Sequence, residues 1–160
     1  MDAEISVKTR IICSIKIRYT LDMEYDPIAG YREIEHTADW ELEVWAPDLP
    51  ALLEQAARGM YALAGTKLQA QPNLKQMFKL SIQDEESLLV DFLNELLWLG
   101  EEEGVAFDGF NMSIDDQYLF AELEGLPIKS LTKEIKAVTF HNMNIEHGAS
   151  GLRVHIVFDV

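Results

Sequence analysis

The sequence predicts an α+β fold, a two-layer sandwich of mostly antiparallel sheet with two main helices. Three observations predict it. Segments 49–64 and 85–103 repeat apolar residues at helical spacing. The stretches beside them alternate apolar and polar residues, as half-buried strands do. The last third of the chain is mostly strand, folded back at a hairpin turn on Asp115-Asp116. Helices set among antiparallel hairpins imply one sheet carrying two helices.

Each element has its own signals. A short strand over 31–35 leads into the polar connection His36-Thr37-Ala38-Asp39. Trp40, Leu42 and Val44 then alternate with Glu41, Glu43 and Trp45, giving a second strand. Asp48 is placed to cap a helix that tolerates Pro50 in its first turn. Leu49, Leu52, Leu53, Ala56, Met60, Leu63 and Ala64 share one face of it, and Gly65 ends it. A loop over 66–73 precedes a strand over 77–82. Asp84 caps the second helix, with Glu85 and Glu86 where the helix dipole favours negative charge. Its apolar face carries Leu89, Phe92, Leu93, Leu96, Leu97 and Gly100, broadened by Leu88, Val90, Trp98 and Leu99. Glu101-Glu102-Glu103 sit unfavourably against the dipole at its end, a run that usually marks a solvated surface, and Gly104 stops the helix. Strands follow over 105–114, 118–123, 134–141 and 153–160, the last two joined through His147-Gly148-Ala149-Ser150-Gly151.

Composition bounds the function. The 160 residues suit one compact domain. Residues 1–30 form an extension read as a loosely ordered tail, with an added edge strand as its alternative: Ile11, Cys13, Ile15, Ile17, Tyr19 and Leu21 alternate, among the basic Lys8, Arg10, Lys16 and Arg18. Residues 31–160 form the domain itself. The single cysteine, Cys13, excludes an internal disulfide and a cysteine-based zinc site. No apolar run approaches the roughly 20 residues that span a bilayer, and a cytoplasmic protein is the simplest reading. With 28 acidic against 13 basic residues the net charge is −15. Affinity for nucleic acid rests on lysine and arginine neutralising phosphates, so direct binding to RNA is not expected. The charge fits a basic protein partner or a captured cation, or serves only solubility. No glycine-rich phosphate loop, zinc spacing or nucleophile elbow is present.

Three places hold more polar chemistry than the fold requires. The connection containing His36 and Asp39 is a turn in which Thr37 or Asp39 can bond nearby amides. In Lys136-Ala137-Val138-Thr139-Phe140-His141, alternation puts Lys136 on the face of Val138 and Phe140, its stem free to reach solvent. At the end of the chain Asp159 precedes Val160, so a side-chain and a main-chain carboxylate adjoin. Joined by Asp39, they would make a hard-oxygen site suited to calcium, magnesium or manganese rather than zinc.

His36-Thr37-Ala38-Asp39 after a short strand closely resembles the opening signature of the archease family. So do Ser87-Leu88-Leu89-Val90-Asp91-Phe92-Leu93-Asn94-Glu95-Leu96-Leu97, Lys136-Ala137-Val138-Thr139-Phe140-His141 and Val157-Phe158-Asp159-Val160. The resemblance spans 31–160 in order; each motif is weak, but four in register are specific. It implies a pair of strand–helix–strand–strand units, one inserted in the other. It also implies a non-catalytic accessory protein that activates an RtcB-type RNA ligase by promoting its guanylylation and turnover in tRNA splicing and RNA repair. The metal site it implies uses Asp39, Asp159 and Val160 for a divalent ion, calcium first and magnesium or manganese next, with Lys136 and His36 serving ligase activation. Trp40 stands where the family usually has a smaller aliphatic residue, and Ala46 where glycine is common. Two other readings compete: a metal-dependent phosphohydrolase, and an assembly factor or chaperone-like interaction module.

The charge generates a first prediction. In a filter-binding assay at physiological salt, the chain alone leaves an RNA oligonucleotide unbound; tight binding that weakens steeply with salt contradicts this division of roles.

Overall fold

The computed structural model describes residues 28–34 and 39–160. Nearly all of the 1–30 extension and the residues 35–38, His36 among them, lie outside the described residues. In chain order the elements are β1 (Gly30–Ile34), β2 (Trp40–Ala46), α1 (Leu49–Leu63), β3 (Lys67–Leu68), β4 (Leu74–Ser81), α2 (Glu85–Glu103), β5 (Val105–Ile114), β6 (Tyr118–Ser130), β7 (Ala137–Thr139), β8 (Glu146–Gly148) and β9 (Gly151–Asp159).

Both helices begin as the sequence dictates. The Asp48 carboxylate accepts from the Ala51 amide at 2.9 Å, and Pro50 sits where no amide is needed. Asp84 accepts from both the amide and the hydroxyl of Ser87, at 2.6 and 2.9 Å. Those bonds hold its carboxyl below the ordinary range. Gly104 ends α2 with φ +65°, a left-handed turn that glycine adopts without steric cost.

The strands form two antiparallel sheets, not the single sheet that alternation alone implied. In the first, β9 lies between β2 on one side and the short β7 and β8 on the other, with β1 outside β2. In the second, β6 is central and pairs with β4, β5 and the short β3. Periodicity identifies the face a residue takes, but not the strand it will meet; that is why the division was hidden. The topology is nested: the unit β4–α2–β5–β6 is inserted between α1 and β7 of the unit β2–α1–β7–β9. Each helix touches both sheets and the other helix. Leu42, Val44, Ile156 and Phe158 of the first sheet thus share one core with Leu53 and Met60 of α1, Phe92 and Leu96 of α2, and Leu119 of the second. Among the described residues no helix is long and apolar enough to cross a membrane.

Two strands depart most in length from the expectation, while β4 begins at Leu74 rather than residue 77 and the short β3 lies within the loop expected over 66–73. β6 continues past Leu123 to Ser130, through Gly125 and Pro127, residues that ordinarily break strands. Here Gly125 makes room for β5: a Cβ on it would stand 2.5 Å from the Ala106 carbonyl oxygen and 2.7 Å from the Phe107 ring. β7 is shorter than 134–141, holding only Ala137–Thr139, and the Asn94 side chain of α2 accepts from its Val138 amide at 3.1 Å. The linker before β9 is partly strand as well, since β8 pairs with β9 across a turn at Ala149 and Ser150.

Gly125→Ala therefore forces backbone apart in the second sheet. The expected loss is about 1–3 kcal/mol, read as a lower urea midpoint with unchanged slope. An unaltered midpoint contradicts the close approach.

Candidate functional site

The pairing of β9 gathers most of the polar residues singled out in the sequence. The last rung between β2 and β9 is Trp40 opposite Phe158. Asp39 and Asp159 each stand one residue beyond it, on adjacent strands. On the other side of β9, Asp159 is the rung partner of Ala137, and its carbonyl accepts from the Lys136 amide at 2.8 Å. The Lys136 ammonium donates to the Val160 main-chain oxygen at 3.3 Å. Asp39, Lys136, Asp159 and Val160 thus meet at one end of the first sheet. His36 lies outside the described residues.

This corner is open to water. Asp39, Lys136 and Asp159 are exposed and Val160 is half-buried. Among the described residues nowhere do three His, Cys, Asp or Glu side chains gather as a cage. A cation here needs the main-chain oxygens of Val160 beside the two aspartates. That donor set is all oxygen, with no sulfur, and it fits a hard divalent ion.

Neighbouring side chains that sequence reasoning passed over hold the corner in place. Lys133 lays its ammonium 3.9 Å from the centre of the Trp40 ring, fastening the segment before β7 to the first residue of β2. Trp40, larger than the aliphatic residue expected there, thereby gains a partner. Asn94 ties α2 to β7, and a lone amide amid the leucines of an apolar helix face was the available signal. Beside Lys136 opens a cavity of about 770 Å³ between α1, α2 and the segment leading to β7. Leu97, Trp98, Leu131 and Ile135 are among its lining residues.

On the sheet face opposite the helices, Glu43 is only 4% exposed. Arg32 of β1 and Arg153 of β9 both donate to its carboxylate. Burial raises its proton affinity, but the two guanidinium groups outweigh that effect and hold the carboxyl below its ordinary range. Next to it His155 pairs with Glu41 at 2.6 Å. Alternation puts Glu43 on the face opposite Leu42 and Val44; its burial there depends on arginines supplied by two other strands.

Comparison with known proteins identifies the class. The model of the Archease protein family (MTH1598/TM1083) matches residues 31–160. Protein archease of Methanosarcina barkeri is 32% identical over 143 residues, covering 81% of this chain and 95% of the relative. Protein archease of Methanothermobacter thermautotrophicus is 27% identical, with 82% and 99% covered. Among solved structures, an archease described as a possible chaperone, from Thermotoga maritima, superposes with a TM-score of 0.62 at 25% identity, covering 81% of this chain and 96% of that one. The solution structure of Methanobacterium thermoautotrophicum protein 1598 gives 0.63 at 27%, with 82% and 99% covered. The chain belongs to the archease family.

Glu43 generates a pH prediction. Its folded-state pKa lies below the ordinary value of 4.5, so its contribution is complete above that value and is lost as pH falls through the lower, folded one. Glu43→Gln is expected to cost about 1–3 kcal/mol at about pH 6, and the gap to the parent should narrow as pH falls below the ordinary value of 4.5. Urea unfolding across this range checks this; a gap independent of pH contradicts it.

Proposed function

We propose that this protein is a non-catalytic accessory factor that binds a divalent cation and activates an RtcB-type RNA ligase, promoting its guanylylation and turnover. One observation carries the reading: Asp39, Lys136, Asp159 and Val160, which the archease resemblance ties to metal binding and activation, come together at one sheet corner. Asp39, Asp159 and the Val160 carboxylate hold the ion, calcium first, with manganese or magnesium as substitutes. Bound there, the cation offsets the repulsion of the carboxylates and presents positive charge to phosphate oxygens. Lys136 adds a second, fixed positive charge. Its bond to Val160 orients the chain end, and its exposure leaves its remaining hydrogens free to donate to a nucleotide phosphate. Trp40 and Lys133 keep the corner rigid. Among the described residues no nucleophile paired with a general base adjoins the corner, which favours an activator over a phosphohydrolase.

The test pairs metal titration with ligation at limiting ligase. Asp39→Ala, Asp159→Ala and the addition of a few residues after Val160 should each weaken calcium or manganese binding by about 10- to 100-fold and reduce activation in parallel. Val160→Ile, which keeps the carboxylate and the β-branched side chain, should be silent. Hydrolysis by the chain alone would favour the phosphohydrolase, and rescue of ligase solubility without added turnover would favour an assembly factor. Unchanged affinity in the extended protein would remove Val160 from the ligand set.

A further inference from the structure

The solvent side of α2 does not suit water alone. Asp91, Glu95, Trp98 and Glu102 are spaced four, three and four residues apart and form one stripe along the helix. Trp98 is 51% exposed in the middle of it, an unusual place for so large an apolar ring. No ion pair among the described residues engages Asp91, Glu95 or Glu102. The carboxylates continue to the C-terminal end of α2, where the helix dipole opposes them and no basic residue answers.

Beside this stripe lies the 770 Å³ cavity, and Trp98 borders both. Leu97 and Leu131 line it, and Leu131 is 47% exposed. Thr66 also lines it, and its hydroxyl oxygen is shut off from water with no hydrogen-bond partner. The two lysines of the rim are engaged elsewhere, Lys133 on the Trp40 ring and Lys136 on Val160. An apolar recess is thus flanked by an aromatic face and a row of unpaired carboxylates. Such a surface complements a positively charged polypeptide. A guanidinium stacks on the indole and pairs with the carboxylates, while a neighbouring apolar side chain enters the recess.

From this charge complementarity we infer that the Trp98 stripe and the adjoining cavity form a docking surface for a basic protein segment carrying arginine beside an apolar residue. The cavity adjoins the carboxylate corner at Lys136, but the docking surface does not depend on a cation there. Nucleic acid, bearing the same sign of charge as the stripe, is disfavoured.

The probe is a synthetic peptide of alternating arginine and leucine, titrated calorimetrically into the full chain. A peptide with glutamate in place of arginine serves as control. Trp98→Ala should weaken binding about tenfold at both low and high salt, because stacking and apolar contact persist when charge is screened. The pair Glu95→Gln with Glu102→Gln should weaken it at low salt only. The pair Glu122→Gln with Glu124→Gln removes equal charge from the exposed face of β6 and should leave binding unchanged. Thermal midpoints close to the parent's show that the variants fold, as expected for exposed side chains. The proposal is overturned if Trp98→Ala binds as the parent does, if the two glutamine pairs act alike, or if the arginine peptide binds no better than its control. Because no ligase or metal enters this measurement, its outcome is independent of the activator reading.

Discussion

The structure depends on the insertion of β9 between β2 and the short β7 and β8. Seven consecutive rungs join β9 to β2, and its two ends are paired again on the other side. β2 is near the start of the described domain and β9 near its end, so these rungs close a loop that contains both helices and the whole second sheet. Contacts of such sequence separation form late and cooperatively. The carboxylate corner is a consequence of that closure. Asp39 comes from the residue before β2, Lys136 from the approach to β7, and Asp159 with Val160 from the end of β9. Nothing local brings them together.

The first sheet treats its carboxylates in two opposite ways, both set by the same strand pairing. Glu43 is enclosed by Arg32 and Arg153, which arrive from the strands on either side, so its charge is consumed by the fold. Removing both arginines would strand a buried anion. A few residues along, Asp39 and Asp159 lie beyond the last rung and open to water, with Lys136 near the chain end. A carboxylate already paired to arginine has little to offer an ion; exposed neighbours with spare lone pairs do. The difference between a structural acid and a candidate ligand is therefore one of position along β2.

Legibility in the sequence followed the range of the interaction. Both helices, with Asp48, Asp84 and Gly104 at their ends, rest on contacts within a few residues, and local pattern showed them. β5 was also plain, because its boundaries are turns. β6 was cut short at Leu123 since Gly125 and Pro127 look like breakers; only the close approach of Ala106 and Phe107 makes glycine an asset there. The burial of Glu43 was invisible for the same reason, its partners being 11 and 110 residues away. The corner residues stood out by their polar chemistry and again in the family motifs, whereas their meeting depends on register that no periodicity encodes. Asn94, Lys133 and the groove beside Trp98 went unnoticed because each acquires its role from another element.

The balance of charge gives these features a common logic. Four of the 13 basic residues, Lys8, Arg10, Lys16 and Arg18, precede the described domain. Most of the others are occupied within it. Arg32 and Arg153 neutralise Glu43, Arg58 pairs with Glu54, and Lys75 with Glu124. Lys79 and Lys133 lie on aromatic rings, and Lys136 binds the chain end. From residue 28 onward only Lys67 and Lys129 lack such a partner among the described residues. Cations spent on internal partners cannot neutralise phosphates, so the domain presents a nearly uncompensated negative field to its surroundings. Such a field is unfavourable for RNA phosphates and favourable for cations and basic surfaces. Under the proposed role, a factor that reaches an RNA-handling enzyme without competing for its RNA would benefit from this separation of charge.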